Sequence, residues 1–219
     1  MNSLRPMRTT ITVTQRKGGV GKTTIAICIA AELTRRGHDV ALVDSDPQRS
    51  ACHWAEPGNL EFPVYEMALE DISVTAWAQE VRNIPAGMVV IDTAPSARGM
   101  GASIAVANLI LVPCTASGLD LDATAQTLAI IEAARERRRD RIKVILVPNR
   151  LDGRTLEGRQ LIEELSEFGE IVAPAIASRL AFVRCFTSGQ SVASFMPGNA
   201  ADREIQALAD EVERAVMGG

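Results

Sequence analysis

Lys17-Gly18-Gly19-Val20-Gly21-Lys22-Thr23-Thr24 sets two lysines around three glycines, with a hydroxyl pair behind. Glycines let the backbone curl until successive N–H groups point inward, which makes an anion cradle. A helix that starts at Lys22 adds the partial positive charge of its N-terminus. In such a loop Lys22 reaches the β- and γ-phosphates of a nucleotide, and Thr23 places its hydroxyl on Mg²⁺. The chemistry on offer is nucleotide binding and phosphoryl transfer to water.

Carboxylates suited to that chemistry follow. Val40 to Gln48 ends a buried apolar run in Asp44-Ser45-Asp46-Pro47-Gln48. Pro47 prevents a regular strand from continuing, so a loop over the phosphates is expected. The competing reading is an Asx turn that caps the next helix. Met88-Val89-Val90-Ile91-Asp92 is a second apolar strand ending in an acid, and after a phosphate loop Asp92 is expected to hold Mg²⁺, through water. Thr93-Ala94-Pro95 and the small residues of Ser96 to Ala107 suit a segment that moves when the γ-phosphate leaves. Asn149 ends a further strand, either against the nucleotide or as a turn residue before Arg150.

These residues need elements to hold them. Apolar strand-like runs at Thr10 to Thr14, Val40 to Asp44, Met88 to Asp92, Asn108 to Val112 and Ile142 to Val147 alternate with helical stretches. The helices read as Lys22 to Arg36 with Gly37 as its stop, Asp120 to Arg138, Asp152 to Phe168 and Ala201 to Met217. Continuous apolar strands separated by helices predict an α/β fold, a mostly parallel twisted sheet with helices on both faces. Ligands of such sheets bind at the carboxyl ends of the strands, where the motifs fall. The 219 residues show no repeat, low-complexity tract or linker, so one domain over 1–219 is expected.

Composition narrows the classes. Aromatics are only 4%, so the core must be aliphatic. No apolar run approaches the ~20 residues of a membrane span, and the opening segment with Arg5 and Arg8 is followed by strand-like alternation and not by a signal-peptide stretch. A cytoplasmic protein is expected. Cys28, Cys52, Cys114 and Cys185 form no CxxC pair, which argues against zinc or redox work. A net charge of −4 means that any nucleic-acid contact must come from a local patch.

The loop departs from the general P-loop at one place. The leading glycine is replaced by Arg16, and Lys17 is an additional lysine. Lys-Gly-Gly-Val-Gly-Lys-Thr-Thr resembles the deviant Walker A loop of the ParA/MinD family of ATPases. Asp44-Ser-Asp-Pro-Gln48, Asp92-Thr-Ala-Pro95 and the Arg179 to Val192 region extend the resemblance over most of the chain. The resemblance implies ATP and Mg²⁺ as ligands and an ATP-dependent homodimer. Lys17 would cross the dimer interface to the partner's nucleotide. Asp46 would orient the attacking water, Asp44 would support the Mg²⁺ shell, and Asn149 would contact adenine. Pro148 stands where many relatives have a non-proline residue.

Within that family three readings compete. A cluster-bearing electron-transfer relative needs ligating cysteines, and Cys114 has no supporting partner. A MinD-like membrane-associated ATPase needs a basic amphipathic end. Here Glu204, Asp210, Glu211 and Glu213 dominate the polar face over Arg203 and Arg214, so no membrane partner is expected. A DNA-using partition or positioning ATPase needs arginines near the dimer edge, and by resemblance Arg179 and Arg184 are those residues. The basic run Arg135, Arg137, Arg138, Arg139, Arg141 and Lys143 is richer, but it lies near a helix C-terminus, where cations complement the dipole. The phosphate loop begins within the first 20 residues, so no separate N-terminal DNA-reading domain is expected and DNA contact would be non-specific. An activating partner protein on the cargo, and nucleoid association in the ATP state, complete the expectation.

Overall fold

The computed structural model describes residues 8–69, 72–138 and 142–218. Among them, in chain order, run β1 (Thr9–Val13), α1 (Lys22–Arg35), β2 (Val40–Asp44), α2 (Ser50–Ala55), β3 (Val64–Glu66), α3 (Val74–Asn83), β4 (Met88–Asp92) and α4 (Ala97–Val106). Then follow β5 (Leu109–Cys114), α5 (Gly118–Arg135), β6 (Lys143–Pro148), α6 (Leu156–Ser166), β7 (Ile171–Val172), α7 (Leu180–Ser188), α8 (Val192–Phe195) and α9 (Ala200–Met217). The strands form one parallel sheet in the order β3-β2-β4-β1-β5-β6-β7. Its register sets Val13 beside Asp92 and Asp44 beside Asp92, so three strands deliver their last residues to one edge.

Strand periodicity sorts the core. Ile11, Val13, Leu42, Val90, Leu111, Ile145 and Val147 face α1 and α9 in one continuous cluster. The alternate residues face the other way and divide into two clusters. Ala41, Val43, Val89 and Ile91 lie under α3, and Ile110, Val112, Val144 and Leu146 under α5 and α6. On β1 itself the position between these two clusters is polar. Thr12 Oγ1 donates to the carbonyl of Ser103 on α4 at 3.2 Å, and Thr93 Oγ1 donates to Val13 O at 3.0 Å. The helix of the expected mobile segment thus rests partly on hydroxyls.

Element limits differ from the sequence reading for identifiable reasons. β5 runs on through Pro113 because its ladder with β1 ends at Leu111, so the missing N–H leaves no bond unmade. α6 starts at Leu156, capped by Thr155, since Asp152 is taken up by Arg154 at 2.8 Å. α5 stops at Arg135, before Arg138. The apolar face of α9 (Ile205, Leu208, Ala209, Val212 and Ala215) is buried, which agrees with a helix packed on its own sheet. No helix among the described residues is long and apolar enough to cross a membrane.

Candidate nucleotide site

β1 feeds the phosphate loop, whose turn needs glycine at two positions. Gly19 and Gly21 sit at φ +77° and +95°, the left-handed region that a Cβ disfavours. Gly21 is also the N-cap of α1, and a Cβ there would stand 2.4 Å from Asn149 Nδ2. Gly18 differs, since a Cβ on it would meet open space. Behind the loop a buried polar bracket fixes its entry. Gln15 Nε2 donates to Thr124 Oγ1 at 3.0 Å, and Thr127 Oγ1 donates to Gln15 Oε1 at 2.7 Å.

The loop opens on a cavity of about 680 Å³ at the carboxyl edge of the sheet. Gly18, Gly19, Gly21, Lys22, Thr23 and Thr24 wall one end, Asp46 and Pro95 lie over it, and Asn149 and Arg150 stand alongside. The far end is built by Trp54, Phe182, Val183 and Phe186.

The two lysines diverge. Lys22 is buried, and its ammonium donates to Lys17 O at 3.3 Å; burial lowers its pKa, opposed by the charges of Asp92 and Asp46. Lys17 turns away from the cavity and pairs with Asp120 on α5, whose carboxylate also accepts from Thr115 Oγ1. Asp120 is fully buried, while the Lys17 side chain is about one-third exposed.

Asp92 and Thr23 form the candidate cation site. Thr23 Oγ1 donates to Asp92 Oδ2 at 2.6 Å, and Asp92 Oδ1 is buried with no hydrogen-bond partner. Burial raises the Asp92 carboxyl to about 7, with the Thr23 hydrogen bond acting against it and the charge of Asp44 adding to it. A buried carboxylate oxygen without a partner, beside a hydroxyl and a phosphate cradle, fits an oxygen-seeking Mg²⁺. Asp44 lies next to it on β2, but its oxygens are committed. Oδ1 accepts from Asp46 N at 3.1 Å and Oδ2 from Cys52 N at 2.9 Å, so Asp44 ties the loop to the start of α2 as an Asx turn does. Asp46 extends over the cavity, while its Oδ1 accepts from Gln48 N.

Asn149 Nδ2 donates to Val20 O at 2.7 Å, so its amide clamps the phosphate loop from the side while lining the cavity. Arg179 caps α7 and forms an ion pair with Glu204 of α9 at 2.6 Å. Arg184 is exposed on α7 and forms no ion pair among the described residues. In the basic run, Arg135 pairs with Glu170, Arg138 donates to Ala107 O at 2.7 Å just past α4, and Lys143 donates to Ala215 O at 2.6 Å in α9. Arg138 and Lys143 thus serve helix ends, and Arg135 ties α5 to the residue before β7. Arg137 is exposed, and Arg5, Arg139 and Arg141 lie outside the described residues. The apolar end of the cavity escaped sequence reading, because Trp54, Phe182 and Phe186 meet only through the fold. Trp54 meets Phe186 edge-to-face at 5.4 Å, and its Nε1 donates to Gln190 O.

Comparison with known proteins finds likeness in sequence and in fold. The CobQ/CobB/MinD/ParA nucleotide binding domain matches residues 11–192. Maintenance of carboxysome distribution protein A from Halothiobacillus neapolitanus is 32% identical over 212 residues, covering 93% of this chain and 95% of that protein. The chromosome-partitioning ATPase Soj of Thermus thermophilus is 29% identical, covering 94% and 96%. Among solved structures, an ATP complex of a Cyanothece McdA variant superposes with a TM-score of 0.78 at 16% identity, covering 97% of this chain and 98% of that one.

Proposed function

The chain belongs to the CobQ/CobB/MinD/ParA nucleotide-binding family, and from that premise we propose that it is an ATP-driven partitioning or positioning ATPase. ATP with Mg²⁺ occupies the cavity, two protomers close face to face over their nucleotides, and the closed dimer holds non-specific DNA. A partner protein on the cargo stimulates hydrolysis, the dimer opens and DNA is released. In the ATP state the protein is nucleoid-associated. ATP acts here by differential affinity for two states.

The residues divide the work. The backbone of residues 17–24 and Lys22 hold the phosphates. Thr23 and Asp92 would hold Mg²⁺, which would supply charge neutralisation to the phosphates. Asp44 keeps the loop in register, and Asp46 places the attacking water. Asp46→Ala is expected to bind ATP and dimerise yet hydrolyse at least ~100-fold more slowly, a range ordinary for a lost positioning or proton-transfer group. Normal single-turnover rates would move the role to Asp44.

The observation that carries this reading is the orientation of Lys17. It does not duplicate Lys22 at the phosphates but pairs with buried Asp120 on α5. A loop lysine spared from its own nucleotide can serve another once it leaves Asp120. Lys17→Ala should retain ATP binding and lose ATP-dependent dimerisation and hydrolysis. Calorimetry with light scattering tests it, and a variant that dimerises like the parent defeats the in-trans role. Gly18→Val should give a nucleotide-bound monomer, since its Cβ meets nothing within one protomer.

For DNA, Arg184 is the exposed cation, whereas Arg179 must first leave Glu204. Arg184→Glu should therefore weaken ATP-dependent DNA binding more than Arg179→Glu does. Parent protein without ATP-dependent DNA affinity at low salt would remove DNA from this scheme.

A further inference from the structure

We propose that Arg150 is the platform for the nucleobase, its guanidinium lying flat against the ring of the bound nucleotide. The inference rests on the nucleotide reading above. It assigns a residue to the part of the ligand that the phosphate loop does not hold.

Three features of Arg150 are unfavourable for the chain alone. Its φ is +54°, in the left-handed region that a residue with a Cβ rarely adopts. Its Nε stands 3.9 Å from where a Cβ on Gly21 would lie, so a cation is held beside the N-cap of α1, the positive end of the helix dipole. Its side chain makes no ion pair or hydrogen bond among the described residues. None of these helps the fold, and together they mark a side chain held for a ligand.

The backbone enforces the placement. Asn149 N donates to Cys114 O at 2.7 Å, and Leu151 N donates to Ile176 O at 3.0 Å. Asn149 and Leu151 are each 5% exposed, whereas Arg150 between them is exposed. The left-handed turn between two anchored neighbours sets the Arg150 side chain in the cavity wall.

The surroundings decide which part of the nucleotide it meets. The phosphates belong to the backbone of residues 17–24 and to Lys22. Asn149 spends an amide hydrogen on Val20 O, which makes it a brace for the loop. Ala177 and Ser178 also line the cavity, and Ala177 is bridged to Leu151, so small residues next to Arg150 leave room for a ring. A guanidinium is planar, permanently charged and weakly hydrated, and it stacks on aromatic faces. The base is the one flat aromatic part of the ligand.

The test titrates ADP and tripolyphosphate, each with Mg²⁺, into the full chain by calorimetry. Parent, Arg150→Gly and Arg150→Lys are compared, and urea unfolding is followed for each nucleotide-free chain. Glycine suits the left-handed turn, so the urea midpoint of Arg150→Gly should hold or rise. ADP should bind that variant about ten-fold more weakly. Tripolyphosphate, which has no ring, should stay within about three-fold of the parent. Arg150→Lys keeps the charge and loses the plane, so it should follow the glycine variant. Equal losses of ADP and tripolyphosphate affinity assign Arg150 to the phosphates and overturn the platform. Parental ADP affinity in either variant overturns it too. A fallen urea midpoint in Arg150→Gly makes the residue a structural support, with the same result. A parent that binds neither ligand overturns the nucleotide reading itself, which losses confined to the variants leave intact.

Discussion

The two ends of the cavity are built on opposite principles. At the phosphate end the backbone is the instrument. Left-handed glycines, a helix N-terminus and a side-chain clamp from Asn149 hold N–H groups in place, and Lys22, Thr23, Asp46 and Asp92 add the charged and hydroxyl side chains. At the α7 end the backbone is an ordinary helix, and aromatic and aliphatic side chains make the wall. Strain and buried charge are concentrated at the first end, and exposed apolar area at the second. An end that recognises a fixed chemical group has little freedom to vary. An end that packs against a surface can be rebuilt with any side chains of suitable size.

The contrast can be broken most forcefully at the phosphate end. Lys22→Ala should raise the ATP dissociation constant by about 100-fold or more, since charge-assisted hydrogen bonds are worth about 1.5–3 kcal/mol each. Unchanged affinity by calorimetry would dissolve the distinction. Gly21→Ala should destabilise the fold by on the order of 2 kcal/mol, through its backbone angle and its approach to Asn149. In an Asn149→Ala background the steric part should vanish, leaving a coupling of about 0.5–3 kcal/mol in a double-mutant cycle of urea unfolding. Additive effects would mean that the clamp is not a unit.

Proton linkage marks the same end. Burial holds the Asp92 carboxyl up at about 7, so above its ordinary range the folded chain keeps a proton that the unfolded chain has lost. That contribution is full below about pH 4 and is lost as pH rises through about 7, amounting to a few kcal/mol in order of magnitude. Asp92→Asn should flatten this slope in urea titrations of the nucleotide-free chain. The α7 end should answer more gently. Arg184→Glu is expected to flatten the salt dependence of DNA binding by about 0.9 for each phosphate that the arginine had neutralised. Phe186→Ala removes the edge-to-face packing on Trp54 and should cost on the order of 1 kcal/mol, with ATP bound only a few-fold more weakly. A large loss of ATP affinity there would show that side chains, too, carry recognition.

The same contrast explains what could be read from the chain. The parallel sheet and the residues at its edge were legible because apolar runs ending in Asp44 and Asp92, and glycines ahead of Lys22, are constraints on neighbouring residues. The turn of Lys17 onto Asp120 was not legible, since Asp120 is remote in sequence and meets it only after β1 and β5 pair. β3 is three residues long and too short for periodicity to register. α7 carries no start signal, because its N-cap is Arg179, which has no oxygen to accept a backbone hydrogen. Asp44 held both meanings at once, a carboxylate at the site and an Asx turn, and only its geometry assigns the hydrogen bonds to Asp46 and Cys52.

The chain has two tryptophans, and they lie in separate clusters. Trp77 is fully buried on the inner face of α3, with its indole donating to Met67 O, whereas Trp54 lines the cavity against Phe186. Trp77→Phe therefore leaves Trp54 as the single tryptophan, which can be excited apart from Tyr65 and is seated where α2 and α7 wall the cavity. Its emission gives a dye-free optical signal of nucleotide arrival and departure, fast enough for stopped-flow mixing.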